Sequence, residues 1–271
     1  NDATINVTGN VTMDNTQTDM GDGTWTVYGN FDRADVVTFN NNSGTLVMKG
    51  TDKYIEVGST GTKLFNKITI DTGATISQEA SGTSTLAFGS ELNVLGEYSI
   101  PAGRVTSGNT SVGATVKVAS TGKITGAGTL TIGNFNSISQ QDGTIDVNTL
   151  RIYYDHSTSG RAIIAGTYDS ANVDVYNPST VNPYTWVTSA GTYTFSGDVT
   201  FRGGTGASAN NMVIDSATNN SNFIFKGNLT ITDNDASVVW TKGTGTITFA
   251  GTSAQSLNFL GKTVEDINIT N

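Results

Sequence analysis

Apolar residues recur along this chain in a fixed frame around glycine: apolar, any, apolar, any, Gly, polar, apolar, any, apolar. The frame occurs five times, as INVTGNVTM (Ile5 to Met13), WTVYGNFDR (Trp25 to Arg33), LNVLGEYSI (Leu92 to Ile100), YTFSGDVTF (Tyr193 to Phe201) and FIFKGNLTI (Phe223 to Ile231). Arg33 alone breaks the apolar set. A strand turns successive side chains to opposite faces, so positions two and four residues either side of the glycine all point one way. A two-residue hairpin at Gly9-Asn10 would pair Val7 with Thr12 and Asn6 with Met13. Cross-strand partners share a face, so that register would turn half of the apolar set outward. A strand that bends at the glycine and continues keeps the set inside, and glycine suits a bend with no room for a side chain. The frame therefore predicts the corner of a solenoid coil.

Two shorter patterns accompany it. Gly-Thr-apolar-any-apolar starts at Gly23, Gly44, Gly128, Gly143, Gly191 and Gly245, and reads as a turn feeding a half-buried strand. FNKITI (Phe65 to Ile70) and VEDINI (Val264 to Ile269) read as short closing strands. The three patterns run in the same order twice, from Trp25 to Ile70 and from Phe223 to Ile269. Each block of about 46 residues suits two coils of roughly 23. No segment holds apolar residues at helical spacing without interruption by Gly or β-branched residues. The prediction is an all-β chain: one β-solenoid, or parallel β-helix, over 1–271, of roughly a dozen coils and without a capping helix.

An open solenoid end exposes unpaired strand edges and is normally covered. Neither terminus offers a polar capping helix. The ends are therefore expected to stack on another subunit or to continue a longer solenoid. The expected edges are Ile5, Val7, Val11 and Met13 at one end, and Val264, Ile267 and Ile269 at the other. The chain opens at Asn1 without Met and reads as a processed form.

The stretch from Arg151 to Trp186 departs from the frame. It gathers Tyr153, Tyr154, Tyr168, Tyr176, Tyr184 and Trp186, the only histidine (His156), and two of the three prolines, Pro178 and Pro183. Proline cannot donate to a ladder, so Asn177 to Tyr184 is expected to leave the sheet. The stretch reads as a loop-rich lateral excursion. Its aromatics and His156 are the candidate contacts for a glycan or for a neighbouring molecule.

Charge is sparse, with 14 Lys+Arg against 23 Asp+Glu and a net charge of −9. Nucleic-acid binding needs clustered cations and is not expected. No apolar run approaches the ~20 residues that span a bilayer, so membrane insertion is not expected. With no Cys there is no disulfide framework, thiolate metal site or Cys nucleophile.

The blocks resemble a diffuse family of secreted bacterial and archaeal β-solenoid surface repeats, whose members carry strings close to GTWTVSGNF, GTxTFNGTxAQ and FYNLTI. Here the strings read GTWTVYGNF (Gly23 to Phe31), GTITFAGTSAQ (Gly245 to Gln255), and FNKITI with VEDINI. The match covers about residues 23–70 and 223–271, with weaker echoes between. VEDINI lacks the usual aromatic start, and the Arg151–Trp186 stretch has no counterpart. The resemblance implies an extracellular, adhesin-like or envelope-forming role, often within larger chains.

Catalytic chemistry finds little support. A solenoid polysaccharide lyase or hydrolase needs clustered carboxylates in a groove. The best cluster is Arg151, Asp155, His156, Arg161 and Asp169, which one His beside one Asp does not make an enzyme site. The carboxylate pairs Asp19/Asp22 and Asp233/Asp235 complete no calcium-binding loop. Nucleotide motifs are absent, and neither a cofactor nor a metal is expected. Thr-x-Thr pairs such as Thr24/Thr26 and Thr246/Thr248 are too irregular for an ice-binding face. The expected function is structural and non-enzymatic: a self-assembling subunit of an extracellular filament, sheath or surface layer, partnered by copies of itself. The alternative is a glycan-binding adhesin or tail-like module, and less so a polysaccharide-active enzyme.

Overall fold

A computed structural model describes residues 3–13, 17–33, 38–40, 42–58, 62–79, 85–108, 113–133, 136–153, 163–177, 184–204, 211–233 and 236–270. The chain is an all-β parallel β-solenoid of about nine turns, and the described residues include no helix. The turns are fewer than the expected dozen because the coils lengthen along the chain. Equivalent positions lie 20 residues apart at Asn10 and Asn30, and 30 apart at Asp198 and Asn228. Two compact units are distinguished, Asn1–Leu130 with Asp142–Val147, and Thr131–Gln141 with Asn148–Asn271.

In the first unit the leading half of the frame forms one ladder. Ile5, Trp25, Leu46, Ile68, Leu92 and Val116 stand in parallel register on six successive coils. The trailing half forms another, through Val11–Thr12, Phe31–Asp32, Lys53–Glu56, Thr75–Gln78, Glu97–Ser99 and the start of Lys123–Gly133. Both halves of INVTGNVTM thus pair onward with the next coil, which rules out the hairpin. From Leu92 to Ile100 burial alternates residue by residue through Gly96, and all four apolar positions face the interior.

The polar position after the glycine has a specific task. Asn10 Oδ1 accepts from the Asn30 amide (2.9 Å), and Asn30 Oδ1 from the Tyr54 amide (3.2 Å). In the second unit Asp198 Oδ1 accepts from Asn228 (2.8 Å) and Asn228 Oδ1 from Ser256 (2.8 Å). A short carboxyl or amide side chain at the corner supplies an acceptor to the backbone one coil on.

Arg33 keeps its place in the frame despite its charge. Its side chain points inward and is 4% exposed, with the guanidinium 5.2 Å from the Phe65 ring centroid. Nη1 donates to the Leu64 carbonyl at 3.3 Å. Burial pulls the guanidinium down to about 10.

Among the described residues, three long ladders run along the second unit. They run through Thr149 to Tyr153, Asn172–Tyr176, Asp198–Arg202, Leu229–Thr232 and Leu257–Asn258; through Gly166–Tyr168, Thr192–Phe195, Asn222–Phe225, Thr246–Phe249 and Asp266–Ile269; and through Tyr184–Val187, Met212–Asp215 and Val238–Thr241. Its interior is aromatic. Tyr168, Phe195, Phe225 and Phe249 stack on successive coils with centroids 5.6–5.7 Å apart, beside the stacked pair Tyr193 and Phe223 at 5.4 Å. Coil spacing of ~4.8 Å brings like rings at like positions into offset stacking.

Charges stack outside in the same way. Glu91 lies between Lys67 (2.6 Å) and Lys117 (2.5 Å), Lys49 faces Asp71 (2.8 Å), and Lys262 faces Asp233 (2.8 Å). Partial burial pushes the Glu91 carboxyl up, but the lysine hydrogen bonds outweigh it and hold the group below its ordinary value. Asp71 is held low by the Lys49 hydrogen bond. At Asp233, burial is outweighed by Lys262 and the Val238 amide. A carboxyl depressed on folding contributes stability above its unfolded pKa, near 3.8 for Asp and 4.5 for Glu, and that stability is lost as pH falls through the folded value. The melting temperature is therefore expected to fall as pH drops below about 4.5, with a shallower fall in Glu91→Gln. Melting curves followed by circular dichroism check this. Identical pH profiles for the two proteins would remove the Glu91 column from the account.

Candidate functional site

Two surfaces are candidates: the terminal coils and the outward face of the Arg151–Trp186 stretch. At the first coil the strand Thr4–Val7 pairs with Thr24–Val27 alone among the described residues. Ile5 occupies an inward position of the frame yet is 37% exposed, while Val7 and Val11 are half-buried and Met13 is buried. Ile5 is thus the open part of the expected edge, and Met13 is already covered.

At the last coil the strand Asp266–Ile269 pairs with Thr246–Phe249 alone among the described residues. Ile267 and Ile269 are 49% and 65% exposed, and Leu257 and Leu260 are exposed on the same final coil. Val264 corrects the expectation. It precedes the strand, is half-buried, and lies out of phase with Ile267 and Ile269. A period of two from those residues lands on Glu265 instead.

Glu265 is the residue the sequence reading missed. It is buried, and its carboxylate accepts from Trp240 Nε1 (2.7 Å), from the Gly243 amide (2.9 Å) and from Ser216 Oγ. These donors satisfy carboxyl oxygens that water does not reach. They also tie the start of the last strand to earlier coils. The signal was present in the alternation of VEDINI, but a charged residue at the inward position hid it.

The aromatic stretch is largely built into the ladders. Gly166–Tyr168, Asn172–Tyr176 and Tyr184–Val187 are strands. Tyr168, Tyr184 and Trp186 are fully buried, so these three are core rather than contact residues. The physical reason is phase: each alternates with a half-exposed or exposed neighbour, and its ring fills the coil interior. Burial raises the Tyr168 hydroxyl well above its ordinary value, and that hydroxyl donates to the Ile164 carbonyl at 2.7 Å.

Tyr153 and Tyr176 do face outward, half-buried, on adjacent coils in register, with ring centroids 5.8 Å apart. The Arg202 guanidinium lies 4.4 Å from the Tyr176 centroid and binds both carboxylate oxygens of Asp174. Tyr154, His156, Asp155, Arg161, Pro178 and Pro183 lie outside the described residues.

No family model matches the chain, and no curated protein and no solved structure matches it either.

The remaining candidates are occupied by structural bonds. Asp169 accepts from Ser196 Oγ at 2.6 Å. Asp19 accepts from the Gly21 amide and Asn42 Nδ2, Asp22 from the Ser43 amide, and Asp233 from the Val238 amide and Lys262; Asp235 lies outside the described residues. Among the described residues no group of three or more His, Cys, Asp or Glu is placed to hold a metal ion. Thr4, Thr24 and Thr45 stack on three coils, but the column continues as Lys67 and gives no extended threonine face.

Proposed function

We propose that this protein is a structural subunit of an extracellular assembly, a filament, sheath or surface layer, in which solenoid ends stack on copies of the same chain. One observation carries the reading. The last strand, Asp266–Ile269, holds Ile267 and Ile269 at inward-phase positions, yet they stand exposed beside an edge with no ladder partner among the described residues. Such an edge pairs with a further strand through backbone hydrogen bonds, and its apolar row adds burial. The likeness to secreted surface repeats supports the extracellular setting.

Electron microscopy and light scattering of the purified chain over a range of concentrations test this. Regular filaments or sheets that grow with concentration are the expected result. Monodisperse particles at every concentration would overturn it.

A second reading, adhesin-like glycan binding, rests on the outward pair Tyr153 and Tyr176 with Arg202 beside them. Its support is narrower than that of the assembly reading, because Tyr168, Tyr184 and Trp186 are interior.

A further inference from the structure

Arg104 brings a charge into the interior of the first unit. It is 1% exposed, and its Nε, Nη1 and Nη2 have no hydrogen-bond partner among the described residues. A guanidinium carries five donors, and a buried charge is costly unless it is paired and hydrogen-bonded. Arg33, buried in the same unit, meets that demand within the chain: its guanidinium lies against the Phe65 ring and donates to the Leu64 carbonyl.

The coil fixes where Arg104 points. Its amide donates to the Pro101 carbonyl (3.0 Å) across a turn, and the strand Val105–Gly108 follows. Burial alternates from Arg104 through Val105 to Thr106, so Arg104 and Thr106 share the inward face. The Thr129 amide donates to the Arg104 carbonyl at 2.9 Å, which sets Gly128 in register with Arg104 one coil on. That coil therefore sends no side chain inward at the level of Arg104.

The buried polar side chains around Thr106 are committed to one another. Thr106 Oγ donates to Gln78 Oε1 (3.0 Å), so the Tyr98 hydroxyl donates to Thr106 Oγ (2.7 Å). All three side chains are fully buried. Burial raises the Tyr98 hydroxyl well above its ordinary value, so the phenol stays neutral and offers no countercharge. The two buried carboxylates among the described residues are bonded elsewhere. Glu56 accepts from the Gly58 amide (2.7 Å), and Glu265 from Trp240, Gly243 and Ser216.

We infer that Arg104 is an interior anion site, which holds a small inorganic anion of the chloride or nitrate class, enclosed as the coils close. The coils lie ~4.8 Å apart and such interiors are close-packed, so the acceptor is small; a sugar acid or a nucleotide is too large. An anion bound by the folded state alone couples its concentration to the stability of the first unit. The inference goes beyond the assembly reading and is independent of it.

The melting temperature in sodium chloride is compared with that in sodium gluconate at equal ionic strength. Chloride is expected to raise it by about 3 °C per tenfold increase in concentration, whereas gluconate, too large to enter, is not. Arg104→Met is expected to lose that difference and, in gluconate, to melt no lower than the wild type, because it removes the buried charge. Crystals of the wild type grown in sodium bromide supply a readout that needs no variant: an anomalous peak within hydrogen-bonding distance of the Arg104 guanidinium is expected.

Equal melting of the wild type in the two salts, or a chloride effect that persists in Arg104→Met, would overturn the inference. So would bromide found at surface positions alone, as an adventitious ion only. Each of these outcomes leaves the assembly reading untouched.

Discussion

Trp186→Ala is expected to lower stability by about 3–5 kcal/mol, the range for emptying a buried aromatic site. The Trp186 ring is fully buried. It meets Tyr193 edge-on at 5.5 Å and Phe223 at 6.5 Å, and lies tilted against Phe201 at 6.1 Å. These neighbours sit on fixed ladders and cannot collapse into the space. Because a coil packs mainly on its neighbours, the loss should be local. Hydrogen exchange should show lost protection in Tyr184–Val187, Thr192–Phe195 and Asn222–Phe225, with protection kept in Thr45–Met48. Trp186→Phe should cost much less, since it also removes an indole N–H that is buried without a hydrogen-bond partner among the described residues. A Trp186→Ala protein that melts with the wild type would show that this ring does not support the second unit.

Gly227→Ala should be nearly as damaging, by the opposite mechanism. The added methyl would meet the backbone of Gly197 at 2.4 Å and the Asp198 nitrogen at 2.8 Å. Backbone in a ladder cannot rotate away as a side chain can, and the coil spacing of ~4.8 Å leaves no slack. Overpacking of this kind costs about 3 kcal/mol. The hydrogen bond from the Asn228 amide to Asp198, at 2.8 Å, should weaken with it. Thermal melting and soluble yield measure the effect. Wild-type behaviour on both would mean that the glycine serves only the bend and not the approach of the coils.

The frame was legible because it is a statement about phase. Four apolar residues at even spacing about a glycine permit one continuous inward face, and the ladders from Ile5 to Val116 follow it. The coil count was less legible, since coils vary in length and a loop of any length closes at small entropic cost. The aromatic stretch misled for a related reason. Tyr168, Tyr184 and Trp186 stand in short strands without the glycine frame, so their clustering suggested a surface. Phase within each strand turns them inward, while Tyr153 and Tyr176 alternate outward. Glu265 was hidden because a carboxylate is not expected at an inward position until Trp240, Gly243 and Ser216 are seen to converge on it.

The class of architecture, the inward positions and the place of the corners are readable from the residues alone, because they follow from the two-residue period of a strand and from where a Cβ fits. The tertiary structure decided which residues become neighbours twenty to thirty positions apart. It set the stacked rings, the Lys67–Glu91–Lys117 column, the amides that the corner Asn and Asp side chains accept from, and the open edges at Ile5 and Ile269. Those contacts depend on the register between coils, which is fixed by packing across many residues and is written in no single segment.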